Sequence, residues 1–392
     1  MTIRRLNGED FEERMALSEF AFQFRFGEND LESIRKKWKP EHDWGYFDDD
    51  GRLLSAATVI PFETWAQGRK LAMGGVAGVA TWPDARRQGC VRQLLLHSLE
   101  QMRKDGQSVS LLHPFAFAFY RKFGWEMTVE RKQYTLSAAQ LPKREDAPGS
   151  VKRVAKPDVA MLNRVYEAFA SRYSGTLVRT DEWWADKWLS KKGTWAVYEN
   201  DSGEPEGYLL YEVMNRKLTV LDWASTTEAA RVSLWTYVSN HDSMVDEVTL
   251  TVPVDDPQTF LLADPRIKQE VIPYFMSRIV DAEAFVRHYA WAPGGAEGET
   301  LTLRLSDAHA QWNEGAFQLS WSADGQGKLE RGEATGAGPT LTTDIQGLTA
   351  LLLGNRRPAF LAQVGRVGAD AEAIALLERR IPARTTHLAD FF

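Results

Sequence analysis

Between Ala85 and Val91 the chain reads ARRQGCV, two adjacent arginines and a glycine set just ahead of an apolar periodic run. A helix starting here leaves its first N–H groups unpaired and carries a partial positive charge, a combination that binds phosphate. Gly89 lets the backbone approach an anion closely, and Arg86 and Arg87 add charge-assisted contacts. The chemistry on offer is pyrophosphate binding, although the same turn is also an ordinary way to start a helix. A second unusual group closes the chain as ADFF, Ala389 to Phe392. Termini are mostly polar and frayed, so two readings compete: a hydrophobic plug on its own domain, or a device that carries the terminal carboxylate into a site. Cys90 has no His or Asp within sequence reach to make it a nucleophile.

The elements that must position these groups follow from periodicity. Val91, Leu94, Leu95, Ser98, Leu99 and Met102 recur at three and four, which predicts one helix over 87–104, ended by KDGQ. A helical pattern over 9–26, alternating strands across 51–81, a short buried strand SVSLL, a helix or turn in FAFAFYRKFGW and a strand EMTVERKQYTL complete a first segment to residue 146. PKREDAPGS, 142–150, is a polar linker. A second segment, 150–291, repeats strand, helix, strand in RKLTVLDWAS to DEVTLTVP, but its STTEAARVS lacks the glycine of the first copy. APGGAEGET, 292–300, marks the next boundary, and 296–392 alternates strands before two helices, an α+β unit. DEWWADKW places Trp184 and Trp188 four apart, a core or interface face.

Composition narrows the classes. The chain has 392 residues, 44% hydrophobic and 26% charged, which fits two to four ordinary globular domains. With 47 Lys and Arg against 54 Asp and Glu, the net charge of −7 offers no basic stripe for nucleic acid and mildly favours a cationic small substrate. The amino terminus turns charged before any apolar run forms, and no apolar run is long enough to span a bilayer, so a cytoplasmic protein is expected. One cysteine and seven histidines without ligand spacing leave no metal site.

Arg86-Arg87-Gln88-Gly89-Cys90-Val91 resembles the pyrophosphate loop of GNAT acetyltransferases, Arg/Gln-x-x-Gly-x-Gly/Ala, with Val91 departing at the last position. Ala116, Tyr120 and Gly124-Trp125 are similar to the family's Ala-x-x-x-Tyr-x-x-x-Gly-Phe stretch, with Trp in place of Phe. LLHPFAFAFYRKFGW, the three-part organisation and the terminal Phe together resemble the enhanced intracellular survival acetyltransferases. The resemblance implies tandem GNAT folds, each a mixed sheet flanked by helices, then a sterol-carrier-like α+β domain whose carboxy terminus enters the active site. It implies acetyl-CoA as donor, a primary amine as acceptor and a homohexamer as assembly. Residue by residue, Val79, Ala80 and Thr81 would pair with the pantetheine arm, Arg86 to Val91 would hold the pyrophosphate, Tyr120 would be the general acid and Phe392 would supply a carboxylate base. His113, Phe22, Phe24 and Trp38 would line the acceptor pocket. A packed core tyrosine and a hydrogen-bonded structural histidine are the plain alternatives for Tyr120 and His113.

The chemistry closes on two conditions. An amine near pKa 10.4 needs a proton acceptor, and a terminal carboxylate near about 3.5 becomes one only when buried, which is what Phe391 and Phe392 are expected to achieve as its anchor. Tyr120 at about 10 would donate uphill to a thiol near 8.5, at a cost of about 2 kcal/mol, with Arg121 as a neighbour that could lower it. Ten residues follow Pro382 and reach about 33–36 Å, enough to cross between domains. The expected activity is direct acetyl transfer to primary amines of cationic small molecules, aminoglycoside-like or polyamine. Alternatives are acetylation of protein lysines, or a non-catalytic protein that binds CoA and an apolar ligand.

Overall fold

The structure is a computed structural model and describes residues 1–294, 298–332 and 338–392. Its larger sheet contains β1 (Thr2–Arg5), β2 (Asp43–Phe47), β3 (Leu53–Ala66), β4 (Arg69–Thr81), β5 (Val109–Leu112), β6 (Glu126–Ser137), β7 (Ser150–Val154), β8 (Thr194–Glu199), β9 (Pro205–Met214), β10 (Lys217–Ser225), β11 (Glu247–Val252) and β12 (Lys268–Ile279). The spatial order is β1-β2-β3-β4-β5-β12-β6-β11-β10-β9-β8-β7. β12 pairs antiparallel with both β5 and β6, and β6 pairs antiparallel with both β12 and β11. The two halves of the chain therefore exchange strands at the centre of one continuous sheet.

Each half contains a parallel pair that diverges. β4 and β5 are matched over Met73–Val76 and Val109–Leu112, after which β4 runs on to Thr81. β10 and β11 are matched over Lys217–Thr219 and Glu247–Thr249, then separate while β10 runs to Ser225 and β11 to Val252. A helix follows the first strand of each pair, Cys90–Lys104 after β4 and Glu228–Ser239 after β10. The first buries Cys90, Leu94, Leu95, Ser98, Leu99 and Met102 at helical spacing, and Gly106 at φ +75° turns the chain after its end.

The third unit holds β13 (Thr300–Ser306), β14 (Gly315–Trp321), β15 (Gly327–Arg331), β16 (Thr340–Asp344) and β17 (Gly368–Ala369), ordered β15-β14-β13-β16-β17. Asp344 and Asp370 cap its helices Ile345–Leu353 and Ala371–Arg380. The boundary expected over 292–300 lies partly outside the described residues. The unit is packed onto the large sheet: one hydrophobic cluster runs from Met73 and Leu111 through Phe275 and Phe285 to Leu303 and Leu351. Arg278 of β12 reaches Asp307 at 2.8 and 2.9 Å, both fully buried.

After Pro382 the chain returns to the large sheet. Thr386 bridges Ser174 in parallel, and the His387 N–H donates to the Ser174 carbonyl at 3.0 Å. The segment that carries Ser174 is held in turn by β3, through Thr64 opposite Leu177 and the Gly175 N–H to the Trp65 carbonyl at 2.8 Å. The tail is thus laid beside the first unit by backbone pairing, before any side chain contributes.

Candidate active site

Where β4 and β5 diverge there is a cavity of about 740 Å3, bordered by Val79, Ala80 and Thr81 on the strand and by Arg86, Arg87, Gly89, Cys90 and Val91 on the turn and helix start. Gly89 sits at φ +85° and an added Cβ would meet nothing within 4 Å, so the backbone here is bare and open. Arg87 is left-handed too, at φ +64°. The Gln93 N–H already bonds the Gly89 carbonyl at 3.0 Å, which leaves the earlier N–H groups of the helix to face the turn. A volume of this size, an exposed helix start and two arginines fit a nucleotide pyrophosphate with its arm.

Not every residue expected at the nucleotide or acceptor site borders this cavity. Gln88 turns away and donates to the Asp84 carbonyl at 2.7 Å. Phe22 lines the cavity, but Phe24 packs edge-on against Phe26 at 4.6 Å. Trp38 stands against Phe11 at 5.2 Å and donates its indole N–H to Asp43 at 2.6 Å. Cys90 is 3% exposed, its Sγ lies 3.6 Å from the Ala85 carbonyl, and burial pushes its thiol up, the opposite of an activated nucleophile. Arg92 and the rings of Phe115, Phe119 and Phe123 complete the wall. These were missed because their spacing around AFAFYRKF reads as helix packing.

Tyr120 lies behind that wall, 3% exposed, edge-on to Phe115 at 5.3 Å, Phe119 at 5.2 Å and Trp125 at 6.4 Å. Its hydroxyl has no hydrogen-bond partner among the described residues, and burial pushes the phenol well above the usual tyrosine range. Arg121 does not relieve this, because it is committed to Glu126 at 2.6 and 3.0 Å. Proton donation from the free enzyme is therefore steeper than the tyrosine reference alone implies. His113 is edge-on to Tyr274, Phe275 and Phe391, and burial first, then Arg131, lower its pKa, so it is neutral at pH 7.

The carboxy-terminal pair behaves differently from the expected anchor. Phe391 is 58% exposed and leans on His113 at 5.0 Å. Phe392 is half-buried, 5.0 Å from both Phe62 and Phe275, and its ring lies 2.9 Å from where a Cβ on Gly75 would stand. The anchor is Asp390, which is 1% exposed. Its Oδ1 accepts from Trp183 at 2.8 Å, Trp188 at 2.9 Å and Arg179 Nε at 3.0 Å, its Oδ2 from Tyr166 at 3.3 Å, and its carbonyl from Tyr274 at 2.9 Å. Trp183, just before the π-helix Trp184–Leu189, and Trp188 within it are five residues apart and reach one oxygen. Arg179 also pairs with Asp222 at 2.7 Å. Fully burying a phenylalanine gains about 1.5–3 kcal/mol, whereas breaking a buried ion pair costs about 3–5 kcal/mol, so Asp390 decides where the tail rests. The aspartate in HLADFF is a signal that could have marked an anchor, but nothing in its spacing names Arg179 as the partner.

The comparisons agree with this architecture. The GNAT acetyltransferase domain matches residues 2–128 and again 175–279, and the sterol carrier protein domain matches 282–389. An uncharacterised N-acetyltransferase of Streptomyces avermitilis is 25% identical over 353 residues, covering 83% of this chain and 82% of the relative. Among solved structures, a conserved protein of unknown function from Enterococcus faecalis superposes with a TM-score of 0.91 at 27% identity, over 100% of this chain and 99% of its own. Eis1 of Mycobacterium abscessus shares the fold, with a TM-score of 0.82 at 20% identity over all of both chains. Two GNAT units and a sterol carrier unit make this chain an N-acetyltransferase of the GNAT family.

Proposed function

We propose that the chain transfers an acetyl group directly from acetyl-CoA to a primary amine of a cationic small molecule, in the manner of the enhanced intracellular survival proteins. The observation that carries this reading is the tail: Asp390 fixes it so that Phe392 lies on Gly75 of β4, the strand whose continuation, Val79 to Thr81, borders the nucleotide cavity. Phe392, Phe62 and Trp183 form an aromatic cluster there, with Phe62 5.0 Å from each of the other two. Such faces suit an ammonium group. The homohexamer and the cytoplasmic setting belong to the same proposal.

Acetyl-CoA supplies the acetyl group as a thioester. Arg86, Arg87 and the free N–H groups of the helix start hold the pyrophosphate, and the bared backbone at Gly89 lets it approach. The carboxylate of Phe392 takes the proton that the amine must lose as the C–N bond forms. Tyr120 gives its proton to the sulfur as the C–S bond breaks. Thiol release measured with acetyl-CoA against a panel of polyamines, aminoglycosides and neutral amines tests the reading. Turnover restricted to polycations supports it; no thiol release with any amine, or turnover only with lysines of folded proteins, overturns it.

A further inference from the structure

The second GNAT unit retains a cleft at the position equivalent to the nucleotide cavity. Where β10 and β11 diverge there is a cavity of about 240 Å3, with Phe169, Tyr173, Trp223 and Trp235 among its walls. It cannot hold a pyrophosphate. Thr227 caps the following helix by accepting from the Ala230 N–H, and Glu228 puts a negative charge in its first turn. The cations that border the cleft are already engaged. Arg231 donates twice to Glu228, at 2.8 and 2.6 Å, and Arg172 donates to the Ser225 carbonyl at 2.5 Å.

What remains unsatisfied is of the opposite kind. Asp256 borders the cleft with its Oδ1 accepting from the Tyr134 hydroxyl and the Gln258 N–H, both at 3.0 Å. Its Oδ2 has no hydrogen-bond partner among the described residues: Lys132 and Arg231 face Asp256 but donate elsewhere, Lys132 to the Asp256 carbonyl at 3.2 Å and Arg231 to Glu228. His387 also borders the cleft, at 4% exposure, and its Nδ1 is buried with no partner. A carboxylate with one oxygen unbonded, an imidazole with a buried unpartnered nitrogen and aromatic faces form a receptor for a hydrogen-bond-donating cation.

We propose that this cleft binds a small ammonium compound with a compact apolar body, and that its occupancy is sensed by the catalytic tail through His387. An engineered apolar cavity of about 150 Å3 accepts benzene, so 240 Å3 takes one ring with a short aminoalkyl arm. His387 stands three residues before Asp390 and five before Phe392 on the same paired segment. An occupant that bonds His387 therefore stiffens the stretch that delivers the terminal carboxylate. Binding at the cleft does not depend on the tail's catalytic role, so the two readings fail separately.

Benzylamine, benzyl alcohol and benzoate are suitable probes for calorimetry on the full chain. Benzylamine should bind, with affinity at least tenfold weaker in Asp256→Asn, and benzoate should not. Crystals soaked in bromobenzylamine should show the bromine among the rings of Phe169, Tyr173, Trp223 and Trp235, with the amine toward Asp256. If Asp256→Asn does not fold, Trp223→Leu at a half-buried wall position replaces it, with the same expected loss. Hydrogen exchange of residues 386–392 should slow severalfold with benzylamine in the wild type and not in the variant. Equal binding of benzoate, unchanged affinity in the variant, or bromine absent from the cleft overturns the site. Tail exchange unaffected by a bound ligand overturns the coupling.

Discussion

Arg179 and Asp390 lie 3.0 Å apart with their side chains essentially sealed from solvent, although 211 residues separate them in sequence. This pair is the fixed point of the tail. Removing the carboxylate with Asp390→Ala should cost about 3–5 kcal/mol and abolish turnover, because two indoles, a phenol and a guanidinium lose their common acceptor. Asp390→Asn should cost less, since Arg179 keeps Asp222 and the amide oxygen still accepts. Thermal melts alongside thiol-release rates check both.

Adding one residue after Phe392 moves the carboxylate by about 3.5 Å. Turnover should vanish while the melting temperature stays put, because Asp390 and the pairing at Ser174 are untouched. A plug for its own domain would show the reverse pattern, loss of stability with activity per folded molecule retained.

Gly75→Val tests the tail from the other side. A Cβ there would stand 2.9 Å from the Phe392 ring and 2.8 Å from Phe62, so the tail ring must shift. The turnover number should drop by at least tenfold with acetyl-CoA affinity unchanged, readable from kcat and the CoA dissociation constant.

Tyr120→Phe should retain acetyl-CoA binding and lose about 10²–10⁴-fold in turnover, the usual range for a positioned acid. Stability should change little, because the hydroxyl has no partner to lose. Equal turnover in the variant would return Tyr120 to a packing role.

His387 is driven down to about 4 by burial, with Arg179 and Arg131 adding to the effect and Asp390 opposing it. A histidine that protonates more readily when unfolded leaves stability intact above about 6.5 and removes it as pH falls toward 4. The loss over that window should be about 3 kcal/mol. His387→Phe should flatten this part of the denaturation profile measured from pH 7 to 4.

The elements around the nucleotide turn were legible because their causes are local. Leu94, Leu95, Leu99 and Met102 keep helical spacing, and Gly89 is followed at once by a helix, as its left-handed φ allows. The tail's anchor was not, because Arg179 and Asp222 of the second unit meet Asp390 of the third and no spacing connects them. DEWWADKW illustrates the same divide. Burial of Trp184 and Trp188 follows from their apolar bulk, whereas the oxygen that Trp183 and Trp188 share belongs to a carboxylate about two hundred residues away. Phe24 and Trp38 are assigned to the acceptor pocket by similarity alone, and in the structure they pack on local partners, Phe26 and Phe11, outside the lining of the nucleotide cavity.

The strands exchanged at the centre of the large sheet bear on heredity as much as on folding. β12, which closes the first unit against β5, is encoded more than a hundred residues after the linker, and β6, which closes the second against β11, is encoded before it. No single cut in the gene frees a complete catalytic half. A recombination or fragment ending near the linker would expose β5 and β6 as raw, sticky edges, so the two units are bound to be inherited, duplicated and lost together.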